Sequence, residues 1–354
     1  LENYNTRLMD LSNVPATIDK EKLFLERKLT LESVYESNLA KFSKIPDFPF
    51  AFSLDNSLLD AYRKGVKIST LGKVVKGLDT CDNERFTRLW YEVSDTNIGF
   101  ATKSIDDTSL MPTKWYPYCK GGSYRKWYGN YEYIVNWKND GKELRNFRDE
   151  KTGKLKSRPQ STQHYFKTGL TFGAVTSSDF SCRFMEESIF GGGGNAIFVD
   201  DPLYLIGFLN SDVFRKFTDA LNPTINMLVG DILKVPLITD PNRYEEVLKN
   251  VNKLIELQKN TWNSSELSWG FSEPEFIEEN EHKICASMEN YQTSRLNALK
   301  ELYDLEKYNN NLFEAIYSVE SYSKEEKFNT PKFKIPIIEL LSYATGCMFG
   351  RFSL

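Results

Sequence analysis

From Lys114 to Trp137 the chain reads Lys-Trp-Tyr-Pro-Tyr-Cys-Lys-Gly-Gly-Ser-Tyr-Arg-Lys-Trp-Tyr-Gly-Asn-Tyr-Glu-Tyr-Ile-Val-Asn-Trp. Cationic side chains alternate with flat rings, a Gly-Gly pair interrupts them, and a β-prone apolar run closes the stretch. Lysine and arginine neutralise phosphates, aromatic faces stack on bases or riboses, and glycine lets backbone approach a ligand closely. The chemistry this combination suits is nucleic-acid binding. The same pattern also fits a hairpin whose rings are core and whose cations are solvated, because large rings mostly pack.

Flanking segments extend the pattern. Lys76-Gly-Leu-Asp-Thr-Cys-Asp-Asn-Glu-Arg-Phe86 has a glycine for a turn and would present Thr80, Asn83 and Arg85 to phosphates or base edges. A plain turn has a similar composition. Downstream, residues 142–158 form a basic run, and Lys151–Arg158 reads as a charged loop or short helix end. Pro159–Lys167 then carries Gln160, Thr162, Gln163 and Tyr165, all capable of hydrogen-bond readout, and Ser178 follows a strand-like run. The formal net charge of −4 says nothing about nucleic acid, but its distribution does. Lys114–Arg183 holds 14 Lys and Arg against 6 Asp and Glu, whereas Glu245–Thr330 holds 9 against 17. A basic middle beside an acidic end fits a nucleic-acid-facing domain carried on a helical one.

Other chemistries find less support. The five cysteines are scattered without a CxxC pair, and the two histidines, His164 and His282, are far apart. Neither a zinc site, a disulfide framework nor His-centred catalysis is expected, and a reducing cytoplasm is the default. No Walker-type loop, GxSxG elbow or HExxH occurs. Phe190-Gly-Gly-Gly-Gly194 resembles the glycine-rich turn that binds S-adenosylmethionine, but no convincing βα unit precedes it. Asn222-Pro-Thr-Ile225 resembles the Asn-Pro-Pro-aromatic motif that holds a flipped adenine. Thr224 replaces the second proline and Ile225 the ring, so the rigid turn and the stacking face are both lost. The stretch by itself reads as non-catalytic. Its first residue is Leu rather than Met, which suggests a piece of a longer polypeptide, and no apolar run is long enough to span a bilayer.

The elements that must position these residues follow from periodicity. The expected fold class is α+β, a mixed α/β domain followed by an antiparallel helix pair, with boundaries at 1–65, 66–242 and 243–354. A helix is predicted over 19–42 with Asp19 as cap and Leu23, Leu29, Val34 and Leu39 on its apolar side. A second helix starts near Ser57, capped by Asn56 and stopped by Gly65. Strands are predicted over 68–75, 89–93, 170–176, 196–199, 225–229 and 232–238. Asn139-Asp-Gly141 marks a turn. Asp201-Pro202 caps a helix, and Ser211 or Asp212 starts another. From Arg243 the pattern becomes helical, followed by a polar aromatic link over 262–275, a long helix to about Lys307 and an apolar helical end.

Longer blocks carry a family resemblance. Pro46-Asp-Phe-Pro-Phe-Ala-Phe52, Lys76–Phe86, Lys114-Trp-Tyr-Pro-Tyr118, Lys120–Asn130, Asn136-Trp137 and Ser157-Arg-Pro-Gln160 together resemble the PglX-type adenine-specific DNA methyltransferases of BREX phage-defence systems. So do Asn210-Ser211, Leu221–Asn226, Val229-Gly-Asp-Ile232 and Ser342–Ser353. A looser similarity reaches the target-recognition regions of type IIG restriction-modification enzymes. The resemblance implies a target-recognition region from a parent that uses S-adenosylmethionine, with no cofactor held by these residues. It implies double-stranded DNA as partner, and other BREX proteins or a phage inhibitor as further candidates.

On this basis Lys76, Lys114, Lys120, Arg125, Lys126, Lys154, Lys156 and Arg158 are expected at phosphates. Tyr116, Tyr124, Trp127 and Tyr128 are expected on DNA or in the wall that carries the cations, and Thr80, Asn83, Arg85, Gln160, Gln163 and Ser178 at base edges. The rival expectation is a protein-interaction scaffold, motivated by the acidic, aromatic-studded region 262–330.

Overall fold

The computed structural model describes residues 5–9, 11, 14–15, 17–30, 34–38, 40, 45, 54–173, 180–191, 193–221, 229–278, 284–320 and 336–351. Strands β1 (Asn5–Met9) and β2 (Val34–Asn38) pair antiparallel around helix α1 (Lys20–Thr30). Asp19 caps α1 as predicted, accepting from the N–H groups of Glu21 (3.0 Å) and Lys22 (3.2 Å). The predicted continuation to 42 is wrong: Leu29 is 85% exposed, and Val34 lies in β2. The β-branched and aromatic pair at 34–35 prefers extended backbone, and β1 supplies a partner. Helix α2 (Asn56–Lys64) is capped by Asp55, one residue before the predicted cap, and ends at Gly65 as expected. The single strand predicted over 68–75 divides into β3 (Val66–Lys67), a one-turn helix α3 (Ile68–Leu71) and β4 (Gly72–Val75).

The centre is layered. After α4 (Asn83–Phe86) come β5 (Thr87–Leu89), the one-turn α5 (Asp107–Leu110), β6 (Trp115–Cys119), β7 (Tyr133–Asn136) and α6 (Lys138–Arg145). Strands β8 (Gly169–Gly173), β9 (Cys182–Met185), β10 (Ile189–Phe190) and β11 (Gly194–Val199) follow. One sheet has the order β10-β6-β7-β5, the other β4-β11-β8-β9. Side chains alternate faces along each strand. In β6, Tyr116 and Tyr118 enter the core between the sheets, while Trp115 enters a smaller core on the outer face with Ile134, Trp90, Phe271 and Tyr343. In β11, Ala196 faces the first sheet and Ile197 the helices.

Those helices are α7 (Pro202–Leu209), α8 (Asp212–Leu221), α9 (Val229–Lys234), α10 (Tyr244–Asn263), α11 (Glu275–Glu278), α12 (Ile284–Tyr317) and α13 (Pro336–Met348). Asp201 caps α7 at the Tyr204 N–H (3.2 Å) with Pro202 in the first turn, as predicted. α10 and α12 run antiparallel: Asn250 donates to the Leu305 carbonyl at 3.3 Å, Lys253 pairs with Glu301, and Tyr308 reaches back to Glu246. A mixed α/β region with a helical C-terminal part is therefore the observed class. The core under the second sheet takes Leu58 from α2, Leu170 and Ile197 from the sheet, and Val251 and Phe313 from the helix pair, so it crosses residues 65 and 242. Of the strands predicted over 225–229 and 232–238, residues 225–228 lie outside the described set. The rest forms α9 and a two-residue strand, β12 (Pro236–Leu237), paired with β3.

Glycines close the loops by small size. The Leu78 N–H donates to the Phe190 carbonyl at 2.8 Å, which draws backbone so near Gly77 that a Cβ there would sit 2.0 Å from that oxygen. Gly77→Ala is expected to destabilise the fold by about 1–3 kcal/mol, because an added methyl must displace backbone. The check is a lowered urea midpoint at unchanged m-value. Gly191 and Gly193 are used in the same way, against the Tyr118 ring and the Lys120 carbonyl.

Candidate nucleic-acid interface

The cations of the middle region divide between two ends of β6. At the Lys114 end lies a cleft of about 940 Å³ lined by Arg85, Lys114, Asn136, Lys138, Asn139, Lys142, Glu143, Asn146, Phe147, Arg148, Asp149 and Glu150. Lys114 is fixed by its backbone: its N–H donates to the Asn97 side chain at 3.0 Å and its carbonyl accepts from Trp137 at 3.1 Å. Trp137, fully buried, anchors the turn that follows. Asn139, Asp140 and Gly141 are all left-handed, with φ of 51°, 54° and 67°, and a Cβ on Gly141 would press 2.8 Å from the Trp137 ring. This Asn-Asp-Gly turn carries Lys138 and Asn139 onto the cleft wall.

The cleft is electropositive for a local reason. None of its five cations forms an ion pair among the described residues, whereas two of its three carboxylates are engaged by protein. Asp149 accepts from the Thr152 N–H (2.8 Å) and hydroxyl (2.9 Å) and from the Lys151 N–H (3.1 Å), which holds its carboxyl below the usual range. Glu143 accepts from the Asn136 amide. Arg85 and Lys156 lie over the ring of Phe147, at 5.0 and 5.1 Å from its centroid.

A second strip adjoins the cleft. Asp79 and Arg158 exchange backbone hydrogen bonds of 3.0 and 2.8 Å, and the Gln160 amide reaches the Gly77 carbonyl at 3.5 Å. Loop 76–86 and segment 154–160 thus run side by side. Burial and then Asp79 raise the pKa of the Cys81 thiol, opposed by Arg158 and Lys156 from the adjoining segment. Lys76, Asn83, Arg85, Lys154, Lys156, Arg158 and Gln160 are exposed. Thr80 is buried and donates to Asn83 at 2.8 Å, so its hydroxyl shapes the loop and is turned away from solvent. Gln163 is exposed on a single turn of 3-10 helix, Thr162–His164, outside the cleft lining. Ser178 lies outside the described residues.

At the other end of β6, of the two expectations for the rings, on DNA or in the wall that carries the cations, the buried rings take the second position. Tyr116, on a β6 strand covered on both faces, and Trp127, in the loop between β6 and β7, are enclosed in the two main cores at 0% and 1% exposure. The Trp127 indole donates to Glu306 at 2.6 Å, and the buried Tyr128 hydroxyl to Glu186 at 3.1 Å. Arg125 lies on the Trp262 face, 4.9 Å from the centroid, Lys126 is 4.0 Å from Glu306, and Lys120 sits over Tyr133 at 4.3 Å. These cations meet the sheet and the helix pair rather than the cleft. Tyr124 alone among the ring candidates is exposed, at 48%. Lys138, Lys142 and Arg148, with Asn136, Asn139 and Asn146, were not singled out by sequence. The signal that marks them is the Asn-Asp-Gly turn, which must swing the chain back over the sheet edge.

Of the histidines, His282 lies outside the described residues and His164 stacks on Phe198, centroids 4.6 Å apart. Burial, then Lys167 and Lys73, lower its pKa from 6.5. The folded state therefore resists its protonation. Its contribution to stability is full above the unfolded value and is lost as pH falls through that value toward the lowered one. His164→Gln should flatten the fall in urea midpoint between about pH 7.5 and 5.5. A fall equally steep in the variant would remove His164 as its source.

No protein-family model matches the chain. It is 33% identical over 344 residues to the adenine-specific methyltransferase BrxX of Escherichia coli O9:H4 (strain HS), covering 88% of this chain and 26% of that protein. It is 29% identical over 353 residues to the adenine-specific methyltransferase PglX of Lacticaseibacillus casei (strain Zhang), covering 95% of this chain and 29% of that one. Among solved structures, a type IIL restriction-modification enzyme, MmeI, in complex with DNA overlaps loosely, with a TM-score of 0.41 and 12% identity over 81% of this chain and 37% of that one. The chain is thus a homologue of the BrxX and PglX adenine-specific methyltransferases of BREX systems, matched along nearly all of its own length and spanning little more than a quarter of theirs.

Proposed function

We propose that this stretch is the double-stranded DNA recognition part of an adenine-specific methyltransferase acting in BREX phage defence, and that the cation-lined cleft receives the phosphate backbone. The observation that carries this reading is the convergence of Arg85, Lys114, Lys138, Lys142 and Arg148 on one cleft without ion-pair partners among the described residues. Exposed guanidinium and ammonium groups around a concavity attract phosphates, and their binding releases counterions. The exposed amides of Asn139 and Asn146 in the same lining can donate to and accept from base edges, whereas the buried Asn136 amide is held by Glu143 and the Lys138 N–H. Lys76, Lys154, Lys156 and Arg158 extend the phosphate track beside it, with Asn83 and Gln160 as further readers.

In this reading S-adenosylmethionine and the methyl-transfer chemistry belong to other parts of the parent protein, and the present residues set which adenine is offered. Residues Gly191 and Gly193, which a cofactor turn would need free, are occupied in close packing. Fluorescence anisotropy with a mixed-sequence duplex at about 50 mM salt tests the proposal, since binding should be retained there and fall steeply by about 200 mM. No retention at the lower salt would instead favour the protein-interaction scaffold.

A further inference from the structure

A second cationic site lies apart from the cleft, where the loop after β6 meets β9 and α10. Arg183, the second residue of β9, is 2% exposed, and its Nε is buried without an acceptor. Arg125 lies on the face of Trp262, and its Nε is likewise buried without an acceptor. The indole N–H of Trp262, a 5% exposed ring, has none either. Neither arginine forms an ion pair among the described residues. The Arg125 backbone N–H donates to the Ser181 hydroxyl at 3.4 Å beside β9, and burial, then Arg183, disfavour the protonated form of Arg125.

The backbone around them is tightly held. Trp127 donates to the Cys182 carbonyl at 3.0 Å and accepts from Phe184 at 2.8 Å, bracketing Arg183, and Gly129 leaves room for the Arg125 stem. The carboxylate that acts on Arg125 is that of the half-buried Glu132, pushed up by desolvation and pulled back by Lys120 and Arg125. Like charges held close without a direct ion pair are costly, and buried N–H groups nearly always find acceptors. Two guanidinium forks and an indole N–H offer more donors, in more directions, than a planar carboxylate can accept.

We propose that Arg125, Arg183 and Trp262 form an anion-binding pocket that takes one tetrahedral phosphate-type oxyanion. The near-complete enclosure of Arg183 limits the occupant to a single group entering beside Arg125. That group is either a free phosphate or a phosphate carried on a nucleic-acid backbone, and both share the chemistry.

The test is thermal unfolding of the 354-residue chain in sodium phosphate against sodium chloride at matched ionic strength, with tryptophan fluorescence followed in parallel. A saturable rise in midpoint and a shift in emission are expected with phosphate only. In Arg125→Gln the half-saturating concentration should rise at least tenfold. Should that variant not fold, Arg125→Lys, which keeps the charge but loses the fork, should show the same loss. Lys249→Ala, exposed on α10 and lining neither site, should titrate as the parent does. If an excess of duplex raises the half-saturation, the pocket takes a backbone phosphate; if it does not, the occupant is a small molecule. A midpoint identical in phosphate and chloride would overturn the pocket, as would unaltered titration in folded Arg125→Gln or Arg125→Lys.

Discussion

Removing Arg85, Lys114 and Lys142 together, each to alanine, should weaken binding to every duplex by on the order of a hundredfold at low salt, whatever the sequence. Each side chain lines the cleft, none is ion-paired among the described residues, and each would neutralise one phosphate. Counterion release scales with the number of such contacts, so the slope of log affinity against log salt should shrink by about 2.7, roughly 0.9 per lost contact. The informative control is Arg125→Ala with Lys126→Ala. Sequence alone places these two at phosphates, yet they pack on Trp262 and beside Glu306. Their loss should lower stability and change the slope by no more than the one contact that a backbone phosphate in the Arg125 pocket would supply, about 0.9. A slope that follows the 125–126 pair and ignores the triple variant would move the interface to the other end of β6.

Trp127→Ala is expected to cost about 3–5 kcal/mol of unfolding free energy, the range for deleting a buried large ring. The ring is 1% exposed within the core that joins the second sheet to the helices, and its indole N–H holds Glu306 of α12. Its backbone is left-handed, with φ of 69°, which a bulky residue adopts only when packing over-determines it. This gives the substitution a signature. Glycine, which carries no penalty at that φ, should be less destabilising than alanine by up to about 1 kcal/mol, although it deletes more. Urea unfolding of both variants reads the order directly. Alanine as the more stable of the two would mean that the loop is not held in this conformation. Whatever fraction of Trp127→Ala remains folded should bind duplex with the parent's salt slope, since the ring faces no solvent.

How much of this was legible in the sequence depends on what a residue type reveals about direction. The caps at Asp19 and Asp201, the stop at Gly65 and the helical period from Arg243 each act through local geometry, and the structure keeps them. The stretch Trp115–Cys119 defeats such reading. Its alternation is that of a strand with two covered faces, and the cover comes from Trp90, Phe271 and Tyr343, far away in sequence. Seen alone, rings interleaved with cations look like a nucleic-acid platform. Helix α1 fails in a similar way, because the partner that draws Val34–Asn38 into a strand is Asn5–Met9. The basic run over 142–158 was visible, but its aim was not. Three consecutive left-handed residues at 139–141, pinned by the ring of Trp137, turn Lys138 and Asn139 onto the same cleft as Arg85 and Lys114.

The most direct measurement of the central claim is lysine acetylation footprinting of the 354-residue chain, with and without duplex DNA, read by mass spectrometry. Duplex should protect Lys114, Lys138, Lys142 and Lys156, and leave Lys249 and Lys300, exposed on α10 and α12, as reactive as before. Cleft lysines that stay reactive in the complex, with protection falling on the helix pair instead, would contradict the assignment of this cleft to DNA.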